Sequence, residues 1–197
     1  REYFGQYPKA PEPKRHDYKL QTIAKEYRET VIDDKAPMTA LFIGFQGPTM
    51  MDDDYYAASL LTDILASGES SRFYQRLVDQ EQVAVESGFS PFILRKAGAF
   101  LVEAYVAKDK TPEQVEKLVM EEINKVVKDG VTAEELTKAK NIREAQFVFG
   151  KKDLMDKAQD LARYEVFNGD ANYINTELDK FMKVSKTDII NAAKKYL

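Results

Sequence analysis

Hydrophobic and polar residues follow two different periods along this chain, and the change of period divides it into two halves. In residues 36–107, short apolar runs end near glycine or proline, which is typical of β-strands. From residue 111 onward, apolar residues recur every three or four positions, which predicts amphipathic helices. The order predicts an α+β domain in which a layer of long α-helices packs on one antiparallel or mixed β-sheet.

Four segments of the first half are strand candidates. Residues 18–27 are a weaker candidate because polar residues are interspersed among the apolar ones. Residues 36–47 are stronger, and Leu41, Phe42 and Ile43 are apolar on both faces, as expected of a central strand covered on both sides. Residues 82–91 and 98–107 alternate and predict a hairpin closed by residues 92–97.

A helix is predicted directly after the aspartates at positions 52–54, because Tyr56, Leu60 and Ile64 recur at helical spacing. Three adjacent aspartates could hold a cation. We favour the simpler interpretation that one of them caps the first helical turn and the others lie at the positive end of the helix dipole. Residues 67–71 then end this helix, and residues 72–78 are predicted to begin a second, shorter one.

The second half carries clear signals for the starts and ends of helices. Thr111, Pro112 and Gln114 form a capping box with proline at the first helical position, and Gly130 ends that helix. A second capping box is formed by Thr132 and Glu135. Further helices are predicted over residues 132–149 and 153–168, in a short segment after residue 170, and from residue 185 to the end of the chain.

Residues 1–17 differ in composition from the rest of the chain. They contain prolines at positions 8, 11 and 13 and little apolar periodicity, which predicts an extended interdomain linker that follows another segment. Residues 18–197 are then expected to form a single domain. Their length is ordinary for one globular core.

Charge and composition exclude several classes of function. A net charge of -4 and a pI near 5.3 argue against a phosphate-binding surface, so nucleic acid is not an expected partner. Glycine-rich nucleotide-binding motifs and apolar runs of about 20 residues are absent from the sequence. The absence of cysteine excludes disulfides but does not identify the compartment. A bacterial periplasmic or cell-envelope location is favoured, with the cytoplasm as the alternative.

The donor groups of the chain argue against a self-sufficient metal enzyme. A zinc hydrolase needs about three nitrogen, oxygen or sulfur ligands, whereas this chain has one histidine, His16, within the predicted linker. The same shortage of histidine leaves no plausible base for a serine nucleophile. A pair of catalytic carboxylates remains an alternative among the 33 acidic residues, although most acids alternate with lysine on predicted helix faces.

Residues 54–85, with Ser70-Ser71-Arg72-Phe73-Tyr74 at their centre, resemble the M16 peptidase family, which includes insulin-degrading enzyme and the mitochondrial processing peptidases. The family shows this order of helix, small-residue turn, SSR motif, short helix and strand. Three other stretches agree with the resemblance and together extend it over nearly the whole chain: Tyr3-Phe4-Gly5 with its prolines, residues 130–136 and residues 184–197. The family usually adds an edge strand after the last helix.

The resemblance implies a noncatalytic domain. In catalytic M16 domains an HxxEH motif and a downstream glutamate hold zinc, and the corresponding positions fall here near Ser59, Thr62 and Asp63. No cofactor is therefore expected in this chain, and zinc is expected in a partner M16 catalytic domain, either fused or a separate subunit. The inactive domain would enclose or position peptide substrates for that partner. The alternative is a structural assembly domain similar to the core subunits of respiratory complex III.

The resemblance also indicates candidate substrate contacts. Many inactive M16 domains hold the substrate backbone with an arginine and, seven residues later, a tyrosine, and these positions correspond here to Val78 and Val85. This departure leaves two alternatives, which are apolar packing at both positions or a different set of contacts with Arg72 or Arg76 as candidates.

Overall fold

The structure is a computed structural model that describes residues 5–8, 10–11 and 23–197. It confirms the predicted α+β fold. The elements, in chain order, are β1 (Ala40–Gln46), α1 (Tyr55–Ala66), a π-helical segment (Tyr74–Gln80), β2 (Ala84–Ile93), β3 (Gly98–Val106), α2 (Pro112–Asp129), α3 (Ala133–Phe149), α4 (Leu154–Asn168), a 3₁₀ segment (Ala171–Asn175), α5 (Glu177–Lys183) and α6 (Lys186–Tyr196).

The described sheet has three antiparallel strands in the order β1, β3, β2. The hairpin of β2 and β3 confirms the prediction for residues 82–107. The prediction of a central strand at residues 36–47 is wrong in its placement, because β1 lies at the edge of the described sheet and Phe42 is 58% exposed. Residues 23–27 are not in a strand, and the remainder of the candidate at 18–27 lies outside the described residues.

One face of the sheet is covered by helices and forms the core. On β3, Phe100, Val102 and Ala104 point to this face and are almost fully buried, as is Phe89 of β2. Helix α1 packs against β2 and α6, while α2 packs against β1, β3 and α6. Burial of each large apolar side chain in this layer stabilises the fold by about 1.5–3 kcal/mol.

The helix starts in the second half follow the predicted capping residues. Thr111 with Gln114 and Thr132 with Glu135 form reciprocal capping boxes, and a third box begins α6 at Ser185. Gly130 ends α2 with a positive φ of 79°, a conformation that glycine adopts without steric cost. These contacts satisfy backbone groups that would otherwise lack partners within each helix.

The prediction that an aspartate caps α1 is wrong. Asp54 precedes the helix but makes no side-chain capping hydrogen bond. Its carboxylate instead accepts hydrogen bonds from Lys195 Nζ at 2.7 Å and from the Tyr196 hydroxyl at 2.8 Å. Asp52 accepts a bond from the Thr49 backbone N–H at 2.6 Å. The start of α1 is therefore tied to the end of α6.

The second strand of the hairpin begins in close contact with the loop that leads to α1. The Gly47 N–H donates to the Gly98 carbonyl at 2.9 Å. A Cβ atom built on Gly98 would lie 1.7 Å from the carbonyl oxygen of Pro48, so no other residue fits at position 98 without movement of the backbone. The first residue of β3 is thus held directly against this loop.

Most of the predicted linker lies outside the described residues, and His16 is among these. The described residues of this segment, 5–8 and 10–11, are exposed and belong to no helix or strand. Among the helices that the structure describes, none combines the length and the apolar character needed to cross a lipid bilayer.

Candidate functional site

The positions that the resemblance aligns with the HxxEH motif lie on the buried side of α1. Ser59 and Thr62 are each 3% exposed. The Ser59 hydroxyl donates to the Tyr55 carbonyl at 2.9 Å, and the Thr62 hydroxyl donates to the Ser59 carbonyl at 2.8 Å. Both side chains are therefore satisfied within their own helix.

Asp63 is engaged by an arginine from another helix. Arg143 of α3 forms a forked ion pair with its carboxylate, with Nε to Oδ2 at 2.5 Å and Nη2 to Oδ1 at 3.0 Å. Burial raises the pKa of Asp63 above its ordinary value, against the opposing effect of Arg143. The Arg143 guanidinium also lies 5.6 Å from the centroid of the Phe181 ring. The sequence analysis did not identify this partner, which lies 80 residues away from Asp63.

These residues do not fit a zinc ion. Two of the three positions offer neutral hydroxyls that already donate to backbone carbonyls, and the third faces a guanidinium that would repel a divalent cation. Within residues 5–8, 10–11 and 23–197, no group of three or more histidine, cysteine, aspartate or glutamate residues is placed to hold a metal. The middle of α1 has the chemistry of a packed core.

Arg72, a predicted substrate contact, bridges two parts of the domain. Its Nε and Nη2 atoms lie 2.6 and 2.9 Å from the two carboxylate oxygens of Glu135, and Nη2 also donates to the Gly130 carbonyl at 3.1 Å. Glu135 accepts a further bond from the Thr132 N–H at 2.7 Å. Burial acts to raise the pKa of Glu135, but the bonds from Arg72 and Thr132 together lower it below its ordinary value.

Arg76 and Val78, two more predicted contacts, belong to the π-helical segment. The Arg76 guanidinium is 2.6 Å from Glu81 and 3.6 Å from Glu121, and its Nε atom is 3.9 Å from Glu122. Val78 is partly buried and packs against the core. Whether Arg72, Arg76 or Val78 contacts a substrate remains a prediction, and any polar contact would have to involve donors already close to acidic groups.

Val85, the fourth predicted contact, lies in a different environment. It is the extra residue of a β-bulge, because Ala84 pairs with Val106 while Glu86 pairs with Tyr105. Its side chain is 54% exposed. The π-helical segment packs against β2, and Arg72 lies just before that segment. The four predicted contacts are therefore in neighbouring parts of the fold. Of the four side chains, only that of Val85 is mainly accessible to solvent.

The side of the sheet away from the helices presents a continuous surface that we call the open face. Its members point outward from four consecutive rows of paired residues and are all exposed or half-buried. The rows are Ala40, Tyr105 and Glu86; Phe42, Glu103 and Gly88; Gly44, Leu101 and Ser90; and Gln46, Ala99 and Phe92.

The sequence analysis missed the open face, although a signal for it exists. The outward residues of β3 alternate with the buried Phe100, Val102 and Ala104, so the period of two already separates the two faces. The outward set is unusual because it contains exposed aromatic side chains. Phe42 and Phe92 are 58% and 57% exposed.

Comparison with known proteins identifies the class of this domain. Residues 1–143 match the family model described as the peptidase M16 inactive domain, and the chain belongs to this family.

Among its relatives, the zinc protease PqqE of Helicobacter pylori is 25% identical over 78% of this chain and 34% of that protein. An uncharacterized zinc protease of Rickettsia felis is 28% identical over 80% of this chain and 38% of that protein. The chain therefore spans little more than a third of the length of these two relatives.

Solved structures share the fold at low sequence identity. The structure of a protease from Helicobacter pylori matches with a TM-score of 0.76 at 23% identity, over 83% of this chain and 39% of that chain. A chain of complex III2 from Candida albicans matches with a TM-score of 0.71 at 16% identity, over 83% of this chain and 41% of that chain. The same fold thus occurs in a protease and in a respiratory complex.

Proposed function

We propose that this domain supports peptide hydrolysis by a zinc-bearing M16 catalytic domain, present in the same polypeptide or in a separate subunit, by enclosing or positioning the peptide. The observation that carries the proposal is the middle of α1, where Ser59, Thr62 and Asp63 are satisfied by groups of this chain. Membership of the inactive-domain family and two zinc-protease relatives support it. The parent protein is proposed to be a zinc metalloendopeptidase.

The first test separates the chain from its partner. Zinc titration followed by calorimetry and a peptide-cleavage assay are carried out on this chain alone, and we expect neither tight stoichiometric binding nor cleavage. Chelator-sensitive cleavage together with stoichiometric zinc would contradict the proposal. The partner is sought as an HxxEH domain encoded upstream in the same reading frame or by a neighbouring gene.

The second test adds the chain to that catalytic domain. We expect peptide turnover or peptide affinity to rise when both are present. A matched control uses the catalytic domain with an equal amount of an unrelated acidic protein, which should leave turnover unchanged.

A second candidate function is structural assembly without substrate contact. One observation favours it: Arg72 and Arg76 lie against acidic residues of this chain and have limited capacity to contact a peptide. The likeness to a complex III2 chain agrees with this candidate at the level of the fold. Two measurements decide this candidate: assembly of the complex, and peptide turnover or affinity of the catalytic domain, each with and without this chain. If assembly fails without the chain while peptide turnover and affinity do not change, this candidate is correct.

A further inference from the structure

A cavity of about 240 Å³ lies where α1, α3, α4 and α5 come together. Its walls include the aromatic side chains of Tyr55, Phe147, Tyr164 and Phe181, one from each helix, and all four residues are buried or half-buried. The walls are formed by helices of this chain and do not depend on a further domain. Pockets for drug-sized ligands usually have volumes of about 300–1,000 Å³, so this cavity suits a smaller molecule.

Two of the three cations that line the cavity have acidic partners. Arg143 forms the forked pair with Asp63 described above, and Arg163 Nη2 lies 2.9 Å from Asp160 Oδ1. These pairs balance the charges of both guanidinium groups. They leave one cation and one carboxylate of the cavity without an ionic partner.

The two remaining charged groups are Lys151 and Glu177. Within the part of the chain that the structure describes, neither lies within 4 Å of an oppositely charged group. Lys151 Nζ donates to the Ile174 carbonyl and lies 3.0 Å from the centroid of the Phe147 ring, and Glu177 accepts a hydrogen bond from the Tyr164 hydroxyl. An ammonium has three donors and a carboxylate has two acceptor oxygens, so both groups keep capacity for a ligand.

Lys151 and Glu177 lie close enough to interact through their charges. Burial lowers the pKa of Lys151 below its ordinary value, and the negative charges of Asp160 and Glu177 act against this effect. The ammonium and the Glu177 carboxylate are nevertheless too far apart for a direct ion pair. A molecule that carries both charges would bridge them with charge-assisted hydrogen bonds of about 2.7–2.9 Å at each end.

We propose that this cavity binds a small zwitterion, namely an α-amino acid with an apolar side chain, and this inference does not depend on the proposed function. The ligand carboxylate accepts a hydrogen bond from Lys151 Nζ, and the ligand ammonium donates to the Glu177 carboxylate. The ligand side chain packs among the rings of Tyr55, Phe147 and Phe181. A ligand with only one of the two charges leaves the other group of the cavity without a partner.

The test uses three ligands that share one side chain. They are L-leucine, 4-methylpentanoate, which is leucine without its ammonium group, and 3-methylbutylamine, which is leucine without its carboxylate. Binding to the 197-residue chain is measured by NMR titration at neutral pH, where leucine is a zwitterion. Leucine should bind about five- to tenfold more tightly than either analogue, because it satisfies both charged groups.

Two variants assign this preference to the cavity. Glu177→Gln removes the partner of the ammonium but keeps an oxygen that accepts from Tyr164, so it should reduce the affinity for leucine to about that for 4-methylpentanoate. Lys151→Met should likewise reduce it to about that for 3-methylbutylamine. Lys152→Met is the matched control, because Lys152 is the next residue and lies over Phe149 rather than in the cavity wall, and it should leave all three affinities unchanged.

The comparison of the three ligands on the unaltered chain decides the inference even if a variant does not fold, which circular dichroism checks. Equal binding of leucine and 4-methylpentanoate overturns the inference, and so does the absence of leucine binding at millimolar concentrations. A preference for leucine that survives Glu177→Gln and Lys151→Met in the folded variants also overturns it. Because no catalytic domain is present in these titrations, a negative result leaves the proposed function unaffected.

Discussion

The helical side of the domain and the open face of its sheet use their side chains in opposite ways. On the helical side, Asp63 and Arg72 are engaged by Arg143 and Glu135. On the open face, Phe42 and Glu103 point outward from the same row of the sheet. The difference indicates that the charged groups of the helical side stabilise the fold through contacts with one another, whereas the outward side chains of the sheet stay exposed or half-buried.

The strongest test of this difference compares two phenylalanines on opposite faces of the sheet. Phe100 is fully buried, and the centroid of its ring lies 5.3 Å from that of Phe89. Phe100→Ala should therefore lower the free energy of unfolding by about 3–5 kcal/mol. Phe42→Ala should change it by less than about 0.5 kcal/mol. Urea unfolding followed by circular dichroism measures both. A loss above about 2 kcal/mol for Phe42→Ala would mean that this face is part of the core.

Removal of Arg143 should leave the Asp63 charge without its partner. The Asp63 side chain is 11% exposed and that of Arg143 is 25% exposed, so the pair is partly screened by solvent. We expect Arg143→Ala to cost about 2–3 kcal/mol in urea unfolding. Adding Asp63→Asn should recover part of this loss, because no charge is then buried. A cost below about 1 kcal/mol for Arg143→Ala would show that the pair is not structurally important.

The Arg72 bridge should depend on the shape of the guanidinium as well as its charge. A lysine cannot reproduce the forked contact with Glu135 while also reaching the Gly130 carbonyl, so Arg72→Lys should cost about 1–2 kcal/mol. Arg28 forms a forked contact with Glu116 at an exposed site and provides a matched control. Arg28→Lys should leave the urea midpoint unchanged. Equal effects of the two substitutions would contradict a special role for Arg72.

Acid should weaken the helical side through its hydrogen-bonded carboxylates. The pKa of Asp188 is lowered by hydrogen bonds from the Ser185 backbone and side chain, and that of Glu135 is lowered as described above. A lowered folded pKa gives stability that is present above the unfolded value and is lost as the pH falls through the folded value. We therefore expect the urea concentration at the midpoint of unfolding to decrease as the pH is lowered below about 4.

Single substitutions locate this acid response. Glu135→Gln should reduce the loss of stability between neutral pH and pH values near 3, even though it also lowers stability at neutral pH. Glu144→Gln on the exposed surface of α3 is the control and should leave the response unchanged. If the two variants respond to acid identically, Glu135 does not contribute to the pH dependence.

Local signals predicted much of the fold. The predicted capping boxes at Thr111 and Thr132 involve residues three positions apart, so each can be read directly from the sequence. The hairpin of β2 and β3 follows from alternation around a short connection. The prediction for α1 succeeded for the same reason, because its apolar spacing is local.

Contacts between distant residues account for what the sequence did not predict. Asp54 resembles a helix cap but binds Lys195 and Tyr196, more than 140 positions away. Asp63 is likewise paired with Arg143 across the fold. The apolar run at Leu41 to Ile43 predicts a central strand, whereas β1 lies at the edge of the described sheet. Sequence alone does not say which neighbours a strand has.

Gly98 gives the open face a fixed position relative to the helices. Because Pro48 O occupies the space of a side chain at this residue, the hairpin cannot tilt without also displacing the segment that enters α1. Any displacement of the start of β3 is therefore coupled to the first turn of α1.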